Sequence, residues 1–590
     1  MTIVPDPRVL FEHESLAHVM CGHCPATVHP QVAERSTVFR RRIFQFAPNV
    51  FGAIEYLGSS VMVVGDEGAV VVGAVSHMTD GDLVAGHFAA LRGDKPIRAM
   101  VYNDSLADNF GGVESFISEA DVKAGEVDVI AHASFEQMLK NLGDITDVAA
   151  RRGAYQAGFL LEKGPEGAVH GGAVAFSRGK VSYIAPTILV DKAWTGTPGG
   201  VATEVYHLPA ESDDGIITWF PREKMLVVGH VLFGDLLPQV YAQRGIVRNA
   251  KRWYKGIEDL IAFVEARDVR YMVPMHWFEP IVGRDRIMEV LTVNRDTLQF
   301  IADQSARHIN KGFKPDELAE TVKLPPDLAA HPELQEHYGR LQQHVRQQFH
   351  DHLGWFEGDP VFLDPLPAAR RAGSYITAMG GRDAVLASVN SAFADAQDQW
   401  GAELLSLLIR IDPNDDEAIR LKAGALRRMG FAAPNATYRN WLLTSALELE
   451  GRLPDIKIDR SMFVPAKVLA ALPPLEMLET LKPRLIAEKA FDLDVRLNLR
   501  FSDDPCLVSL HIRRGVIWTR GTHIEAPHAV LRMALGTLRE LLDDRLAIDD
   551  GIASGAVMVE AGDGEMIKRL GPLFEPAAQA VCPVAMPARR

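Results

Sequence analysis

The periodicity of apolar residues changes twice along this 590-residue chain, and that change constrains the fold more than any other feature. In the first half, short β-branched runs alternate with helical patterns, as in a layered α/β protein. A long stretch then carries helical periodicity alone, and strict apolar/polar alternation returns near the end. A chain of this length exceeds one ordinary core. We therefore predict three domains, at residues 1–290, 291–452 and 453–590.

Composition argues against two kinds of partner. The formal net charge is −15, whereas a nucleic-acid binder normally carries a basic face. No run approaches the roughly 20 apolar residues of a membrane span. The opening residues lack a basic region followed by an apolar core, as a signal peptide would have. We expect a cytoplasmic protein with no membrane span and no nucleic-acid partner.

The chain has only four cysteines. Cys21-Gly-His-Cys24 has the spacing of a redox or metal motif, but it lies in an irregular segment rather than between a strand and a helix. Two free thiols are the alternative interpretation. Cys506 and Cys582 stand alone and are interpreted as unpaired thiols.

Six strands and one helix are predicted in the first domain. Asp66-Glu67-Gly68 separates two β-branched runs and indicates a hairpin. The predicted strands cover residues 60–65, 69–74, 97–102, 181–184, 215–220 and 225–228, and the helix covers residues 81–91.

The middle of the chain carries helical patterns only. The predicted helices cover residues 286–305, 368–379, 381–394, 399–411 and 415–429. Asp412-Pro413-Asn414 separates the last two of these helices. The two helices together resemble one tetratricopeptide-type hairpin. A single such pair cannot bury its own faces, so we expect it to pack on something else.

The last domain should contain an antiparallel meander. Apolar residues alternate with polar ones from Val495 to Phe501 and from Val508 to Ile512, and Val516 and Trp518 continue the pattern. Helices are predicted at residues 475–488 and 528–541, which gives a small α+β domain. The apolar face of the meander is either the core of the domain or a pocket for a lipid-like tail.

The most informative segment is the polar turn at residues 102–112. A hydrophobic strand enters it, Gly111-Gly112 closes it, and a helix follows. Such a turn directs side chains at one spot beyond the strand end. The turn is therefore the candidate site.

This turn resembles the Thr-His-Ser-His-x-Asp-His-Phe-Gly-Gly motif of the alkyl sulfatases, a branch of the metallo-β-lactamase superfamily. The positions that agree are Ser105, Asp108, Phe110, Gly111 and Gly112. The positions that differ are Asp104, Leu106 and Asn109, which stand where the family has its three histidines.

The resemblance extends over nearly the whole chain. Pro209-Ala210-Glu211 is similar to the segment with the family's first glutamate ligand, and His230 stands where the second glutamate would be. Arg244-Gly245 resembles an Arg-Gly beside the sulfate. Met275-His276-Trp277 resembles a His-His-Trp, without indicating which histidine His276 matches. Similar segments of the dimerisation domain are residues 353–360 and 439–449.

The resemblance implies a fold and a pair of partners. The fold class would be α/β: a metallo-β-lactamase αββα sandwich, then a helical dimerisation domain, then a small α+β sterol-carrier-like domain. The chain would form a homodimer through its helical domain. The substrate would be a small amphiphile with a polar or anionic head.

The surviving candidate metal ligands are three carboxylates and two imidazoles: Asp104, Asp108, Glu211, His230 and His276. Such an oxygen-rich set suits manganese or iron(II) at least as well as zinc. We predict one divalent ion or none, because too few ligands remain for two. In the metal-free alternative, Asp104 and Asp108 cap the helix that starts near Phe110, and His230 is a core histidine.

Three residues are candidates for catalysis. Asp108 or Glu211 could act as general base, and Arg244 would hold the anionic head; a solvated turn residue is the plainer interpretation of Arg244. The expected activity is hydrolysis of a sulfuric ester by metal-activated water. The alternatives are a binding protein that has lost its metal, and a repurposed lyase or iron-dependent enzyme.

Overall fold

The structure is a computed structural model. It describes residues 6–13, 27–140, 145–162, 164–167, 169–174, 177–276, 279–453, 467–468 and 472–577. Cys21, Cys24, Cys582 and Trp277 lie outside these residues, so the predictions about them stay predictions. Cys506 is an exposed free thiol. The chain divides into two compact units, and residues 464–582 form most of the smaller one.

Two sheets face each other in the larger unit. Eight strands in sequential order form the first sheet: β1 (Arg8–Glu12), β2 (Arg42–Ala47), β3 (Val50–Tyr56), β4 (Gly58–Val64), β5 (Ala69–Val72), β6 (Ile97–Val101), β7 (Asp128–His132) and β8 (Ile188–Val190). Strands β1 to β5 pair antiparallel, and β5 to β8 pair parallel.

The second sheet has six strands, in the order β16-β15-β12-β11-β10-β9. They are β9 (Ala193–Gly196), β10 (Thr203–His207), β11 (Ile216–Phe220), β12 (Met225–Gly234), β15 (Tyr271–His276) and β16 (Ile281–Val282). Between them, β13 (Tyr241–Ala242) and β14 (Ile246–Val247) form a separate hairpin. Strands β12 and β15 are parallel, so their carboxyl ends meet at one edge.

Helices cover the outer faces of both sheets. The described helices of this part are α1 (Pro30–Val38), α2 (Met78–Arg92), α3 (Ala107–Phe110), α4 (Glu119–Lys123), α5 (Phe135–Lys140), α6 (Thr146–Ala157), α7 (Ala250–Glu265) and α8 (Arg284–Ile309). One core lies between the sheets, and another lies between the second sheet and α7 and α8. The αββα sandwich is therefore confirmed.

The same unit continues into a helical region. Its helices are α9 (Pro315–Thr321), α10 (Pro326–Ala330), α11 (Leu341–Leu353), α12 (Ala368–Ala378), α13 (Arg382–Ala394), α14 (Asp398–Ile411), α15 (Asp416–Ala432) and α16 (Ala436–Leu449). The predicted pair, α14 and α15, shares one core with residues of α13 and α16, so its faces are covered within the chain.

Residues 353–366 stand apart from this core. Leu353, Trp355, Val361 and Leu363 are all more than half exposed, although they are large and apolar. An exposed run of this kind marks a surface that another chain can cover.

The smaller unit is a five-stranded sheet with short helices. Its strands are β17 (Asp494–Phe501), β18 (Leu507–Arg513), β19 (Val516–Arg520), β20 (Ala529–Met533) and β21 (Val557–Gly562), in the order β19-β18-β17-β20-β21. Its helices are α17 (Pro474–Glu479), α18 (Leu535–Leu542), α19 (Ile548–Ser554) and α20 (Gly564–Lys568). The apolar face of β17 and β18 is buried in the core of this unit, and the pocket for a lipid-like tail stays a prediction.

Three predicted elements were wrong. Residues 181–184 form no strand, because Ser182 N–H donates to Gly111 O at 2.7 Å and the segment follows the polar turn instead. The helix predicted at 475–488 ends at Glu479, and Pro483 lies shortly beyond that end. Residues 529–533 alternate between buried and exposed positions, so they form β20 rather than the start of a helix.

Several other predicted elements were confirmed with shifted ends. The hairpin at Asp66-Glu67-Gly68 joins β4 to β5, which pair antiparallel. Strand β12 extends to Gly234, well beyond the predicted end at Val228. Among the described helices, none combines the length and apolar composition that crossing a membrane requires.

Candidate metal centre at the polar turn

The polar turn follows β6 and is held by glycine contacts on both sides. A Cβ at Gly58, whose φ is 93°, would overlap the carbonyl oxygen of Asp108, and a Cβ at Gly111 would overlap that of Ser76. Only glycine permits backbones to approach so closely. Helix α3 starts at Ala107 rather than near Phe110, so Asp108 lies inside it and does not cap it.

The turn brings its two aspartates to residues from three other places in the chain. Glu211 lies in the loop between β10 and β11, and His276 is the last residue of β15. His230 lies within β12, just after a break in strand register at Gly229, rather than beyond the strand end as predicted. Pairwise contacts link the other four predicted ligand positions to His230, either directly or through Asp108.

Three of these residues form a compact donor group. Asp108 Oδ2 lies 2.9 Å from His276 Nε2 and 3.4 Å from His230 Nε2. The two Nε2 atoms are 3.2 Å apart. Ligands about 2.1 Å from one tetrahedral ion stand roughly 3.4 Å from each other. The donor group of Asp108, His230 and His276 therefore fits a single metal ion, since one ligand atom from each lies within 4.8 Å of the others.

A buried acceptor atom supports the same fit. Asp108 Oδ1 is buried and accepts no hydrogen bond from any described residue. Burial would raise the pKa of Asp108, but His230 and His276 outweigh burial and hold this pKa well below 3.8. The carboxylate is thus charged and available as a ligand.

Asp104 contacts the other side of the His230 ring. Its Oδ2 lies 2.7 Å from His230 Nδ1, and its Oδ1 accepts from Leu106 N–H at 2.9 Å. A carboxylate on Nδ1 fixes the orientation of the ring, and Nε2 then lies on the side of Asp108 and His276. The metal-free alternative predicted that Asp104 binds backbone amides. This holds for Oδ1, whereas Oδ2 contacts His230.

Asn109 completes this arrangement. Its amide nitrogen donates to Asp104 Oδ1 at 2.6 Å, and its amide oxygen accepts from Asn103 Nδ2 at 3.0 Å. All three side chains are buried. Asn109 thus serves as a hydrogen-bond donor to the carboxylate that contacts Nδ1 of His230.

Glu211 is paired with an arginine that sequence reasoning missed. Arg248 forms a buried ion pair with Glu211 Oε1, and Glu211 Oε2 lies 3.8 Å from His230 Nδ1. Arg248 also donates to Gln239 O at 3.0 Å. Arg248 follows Arg244 by four residues, and nothing in the local sequence distinguishes it.

The acidic groups dominate the electrostatics of the site. Burial disfavours a charged imidazole, but Asp104, Glu211 and Asp108 outweigh burial and raise the pKa of His230 well above 6.5. Burial and the nearby Asp104 raise the pKa of Asp214 to about 7. Sequence reasoning missed Asp214 as well. The concentration of negative charge favours a cation.

Arg244 is placed by the β13–β14 hairpin. Its backbone N–H donates to Gln156 Oε1 at 3.2 Å, and its Nε is buried without a hydrogen-bond partner among the described residues. The contacts that link the five acidic and imidazole side chains do not include Arg244. A buried N–H donor without a partner can bind an anion, whereas the side chain of a fully solvated turn residue would be hydrated.

Three family models match this chain. The metallo-beta-lactamase superfamily model matches residues 54–276, alkyl sulfatase dimerisation matches residues 314–452, and alkyl sulfatase C-terminal matches residues 463–580.

Curated relatives and solved structures point the same way. A linear primary-alkylsulfatase of a Pseudomonas strain is 35% identical over 517 residues, covering 86% of this chain and 96% of the relative. An alkyl/aryl-sulfatase of Saccharomyces cerevisiae is 31% identical, covering 84% of this chain and 76% of the relative. The solved structure of a stereoselective inverting sec-alkylsulfatase from Pseudomonas is 27% identical, with a TM-score of 0.83 over 95% of this chain and 88% of that one.

Proposed function

Because this chain belongs to the alkyl sulfatase family of the metallo-β-lactamase superfamily, we propose that it is a sulfuric ester hydrolase acting on an amphiphilic alkyl sulfate. The observation that carries this proposal is the 35% identity with a linear primary-alkylsulfatase over 96% of that relative's length. A second relative is an (R)-specific secondary-alkylsulfatase, 30% identical over 87% of this chain.

The proposed ligands of one divalent ion are Asp108, His230 and His276, with zinc, manganese or iron(II) as the candidates. Two imidazoles and one carboxylate suit each of these ions. A divalent cation at such a site supplies Lewis acidity toward an ester or water oxygen. The separations of 2.9, 3.2 and 3.4 Å among the three donor atoms support this assignment.

Asp104 and Glu211 take supporting roles in this proposal. Asp104 orients His230 through Nδ1, which directs Nε2 toward Asp108 and His276. Glu211 lies on the same Nδ1 side and is neutralised by Arg248, so it balances charge rather than accepting a proton. A water beside Asp108 would donate a hydrogen bond to Oδ1, which has no partner among the described residues, so this charged carboxylate would orient the water.

Arg244 is the proposed partner of the sulfate head. Its buried Nε has no hydrogen-bond partner among the described residues, and an arginine suits a tetrahedral oxyanion because its N–H groups form a planar fork. An arginine in this role would fix the head of the substrate while the tail extends away from the site.

We also propose a homodimer formed by the helical region. The division at residues 1–290, 291–452 and 453–590 stays a proposal, supported by family models that match residues 54–276, 314–452 and 463–580. The exposed apolar side chains between Leu353 and Leu366 are the proposed contact, and the dimerisation model matches residues 314–452. A cytoplasmic location stays a prediction.

Metal analysis combined with sulfate release tests the proposed function. The protein would be stripped with a chelator, reloaded with zinc, manganese or iron(II), and assayed for sulfate release from dodecyl sulfate and a secondary alkyl sulfate. We expect one ion per chain and turnover with at least one of the ions. His230→Ala and His276→Ala should lose the ion and the activity, whereas the exposed control His352→Ala should keep both.

Two results would reject parts of the proposal. Full ion binding by both histidine variants would reject the proposed ligands while leaving hydrolysis possible. One bound ion without sulfate release from either ester would reject the activity and favour the binding-protein alternative.

A further inference from the structure

The outer face of the sheet in the smaller unit is strongly basic. It carries Arg496 and Arg500 on β17, Arg513 on β18, Arg520 on β19 and Arg532 on β20, because alternate residues of these strands point away from the apolar core. Asp494 and Glu560 are the acidic residues of the same strand faces. The chain as a whole has a net charge of −15, so this basic face is a local exception.

The acidic residues neutralise only one side of the face. Asp494 contacts His511 and Arg496, and Glu560 contacts Arg500 and Arg532. Arg513 and Arg520 lie instead against Trp518, at 5.5 and 3.5 Å from its ring centre. Among the described residues, no carboxylate forms an ion pair with Arg513, Arg514 or Arg520.

The side of the face near β19 also exposes apolar groups. Trp518 is 43% exposed and Val516 is 56% exposed, and both lie on the edge strand of the sheet. Phe491 is 58% exposed and would contact a Cβ at Gly515, in the turn between β18 and β19. We call the group of Phe491, Arg513, Arg514, Val516, Trp518 and Arg520 the Trp518 surface.

We propose that the Trp518 surface docks on the surface of an anionic lipid bilayer. Exposed tryptophan and aliphatic groups gain free energy by entering the boundary between headgroups and acyl chains. Arginines without acidic partners gain further from the negative potential of such a layer. Nucleic acid fits less well, because Val516 and Phe491 offer nothing to a phosphate backbone.

This docking goes beyond sulfate ester hydrolysis and does not depend on it. A bilayer concentrates amphiphiles, so a hydrolase held at its surface would meet long-chain substrates at a higher local concentration than in water. The binding itself can be measured without any substrate.

Sedimentation with lipid vesicles tests the proposal. The full-length protein would be mixed with phosphatidylcholine vesicles, with or without about one third phosphatidylglycerol. We expect binding to the anionic vesicles and its loss at about 1 M salt, where charge attraction is screened. The double variant Arg513→Glu/Arg520→Glu should bind at least about 25-fold more weakly, at roughly five-fold for each arginine.

Two single substitutions sharpen the experiment. Trp518→Ser should weaken vesicle binding at least about five-fold, because the apolar anchor is lost. Arg569→Glu is the matched charge control: Arg569 is exposed in the same unit, directly after α20, and lies outside the Trp518 surface. Circular dichroism and the melting temperature would check that each variant is folded.

Three outcomes would overturn the proposal. The first is no sedimentation of the unmodified protein with anionic vesicles. The second is an equal loss of binding in Arg569→Glu and in the double variant, which would indicate a general charge effect. The third is a drop in oligomeric mass of Trp518→Ser without a change in vesicle binding, which would assign the edge strand β19 to a second copy of the chain.

Discussion

At the scale of single residues, Asp104 and Asn109 of the polar turn have defined hydrogen-bond partners within the site. Asp104 and Asn109 form hydrogen bonds with each other, and Asp104 holds Nδ1 of His230. The ring is thereby oriented by two side chains of the polar turn. Metal chemistry at this site should consequently depend on Asp104, although Asp104 faces away from the donor group.

Replacing Asp104 by asparagine tests that dependence. The amide keeps the shape of the side chain but removes the charge that stabilises the protonated Nδ1 and orients the ring. We expect the affinity for the ion to fall by about 10- to 100-fold, as is common when an outer carboxylate is lost. Competition with a chelator of known affinity would measure it.

Asp383→Asn is the control for this measurement, because Asp383 is fully exposed on α13. An unchanged affinity in Asp104→Asn would mean that Asp104 does not orient the ligand, and that Nδ1 is held by Glu211 instead.

The convergence of the five candidate residues could be predicted from sequence, but the partners that hold them could not. Asp104 and Asp108 follow the end of β6, and His276 is the last residue of β15. Arg248 contacts Glu211 through a hairpin 37 residues further along the chain. That contact depends on the path of the β13–β14 hairpin, which cannot be predicted from the residues around Arg248.

At the scale of elements, prediction failed where a segment bonds to something other than its neighbours in sequence. Residues 181–184 carry a strand-like pattern, yet their hydrogen bonds go to Gly111 and to Tyr102. Residues 529–533 pair with β17 in parallel, which requires a crossover that periodicity does not reveal. Long helices such as α8 were predicted well because one face of each is buried along its full length.

The segment between α11 and α12 provides the prediction at this scale. Val361 is 70% exposed, so Val361→Asp should leave the fold of one chain unchanged. If this segment is the dimer contact, a buried carboxylate there should shift the mass toward that of a monomer at micromolar concentration. Light scattering coupled to size exclusion would measure this mass.

Val9→Asp is the matched control, because Val9 is also an exposed valine but lies on the edge strand β1. A dimer that persists in Val361→Asp, or a monomeric unmodified protein, would contradict the proposed contact.

At the scale of the whole molecule, buried histidines connect stability to pH. Burial lowers the pKa of His170 to about 3, and burial followed by the charge of Arg248 lowers the pKa of His344 to about 3. Both side chains are therefore neutral in the folded protein at every pH above that value. Once unfolded, each would regain its ordinary pKa of about 6.5.

Stability should accordingly fall as the pH drops from about 6.5 toward 3, because the unfolded chain takes up protons that the folded chain cannot. Each histidine contributes at most about 1.4 kcal/mol per pH unit to the slope of the free energy of unfolding against pH. The slope of the melting temperature against pH should be smaller in His344→Gln than in the unmodified protein. The control His352→Gln changes an exposed histidine and should leave the slope unaltered. Identical slopes in all three proteins would contradict the assignment.

The close backbone contacts of Gly58 and Gly111 affect how an ion would enter the polar turn. Gly58 and Gly111 lie against the carbonyl oxygens of Asp108 and Ser76, so backbone packing and the hydrogen bonds of Asp104 and Asn109 fix the path of the turn without an ion. The metal-free protein should then keep this path and accept an ion without refolding. In a cell, an ion would then be loaded after the chain has folded, so the timing of metal supply need not match the timing of synthesis.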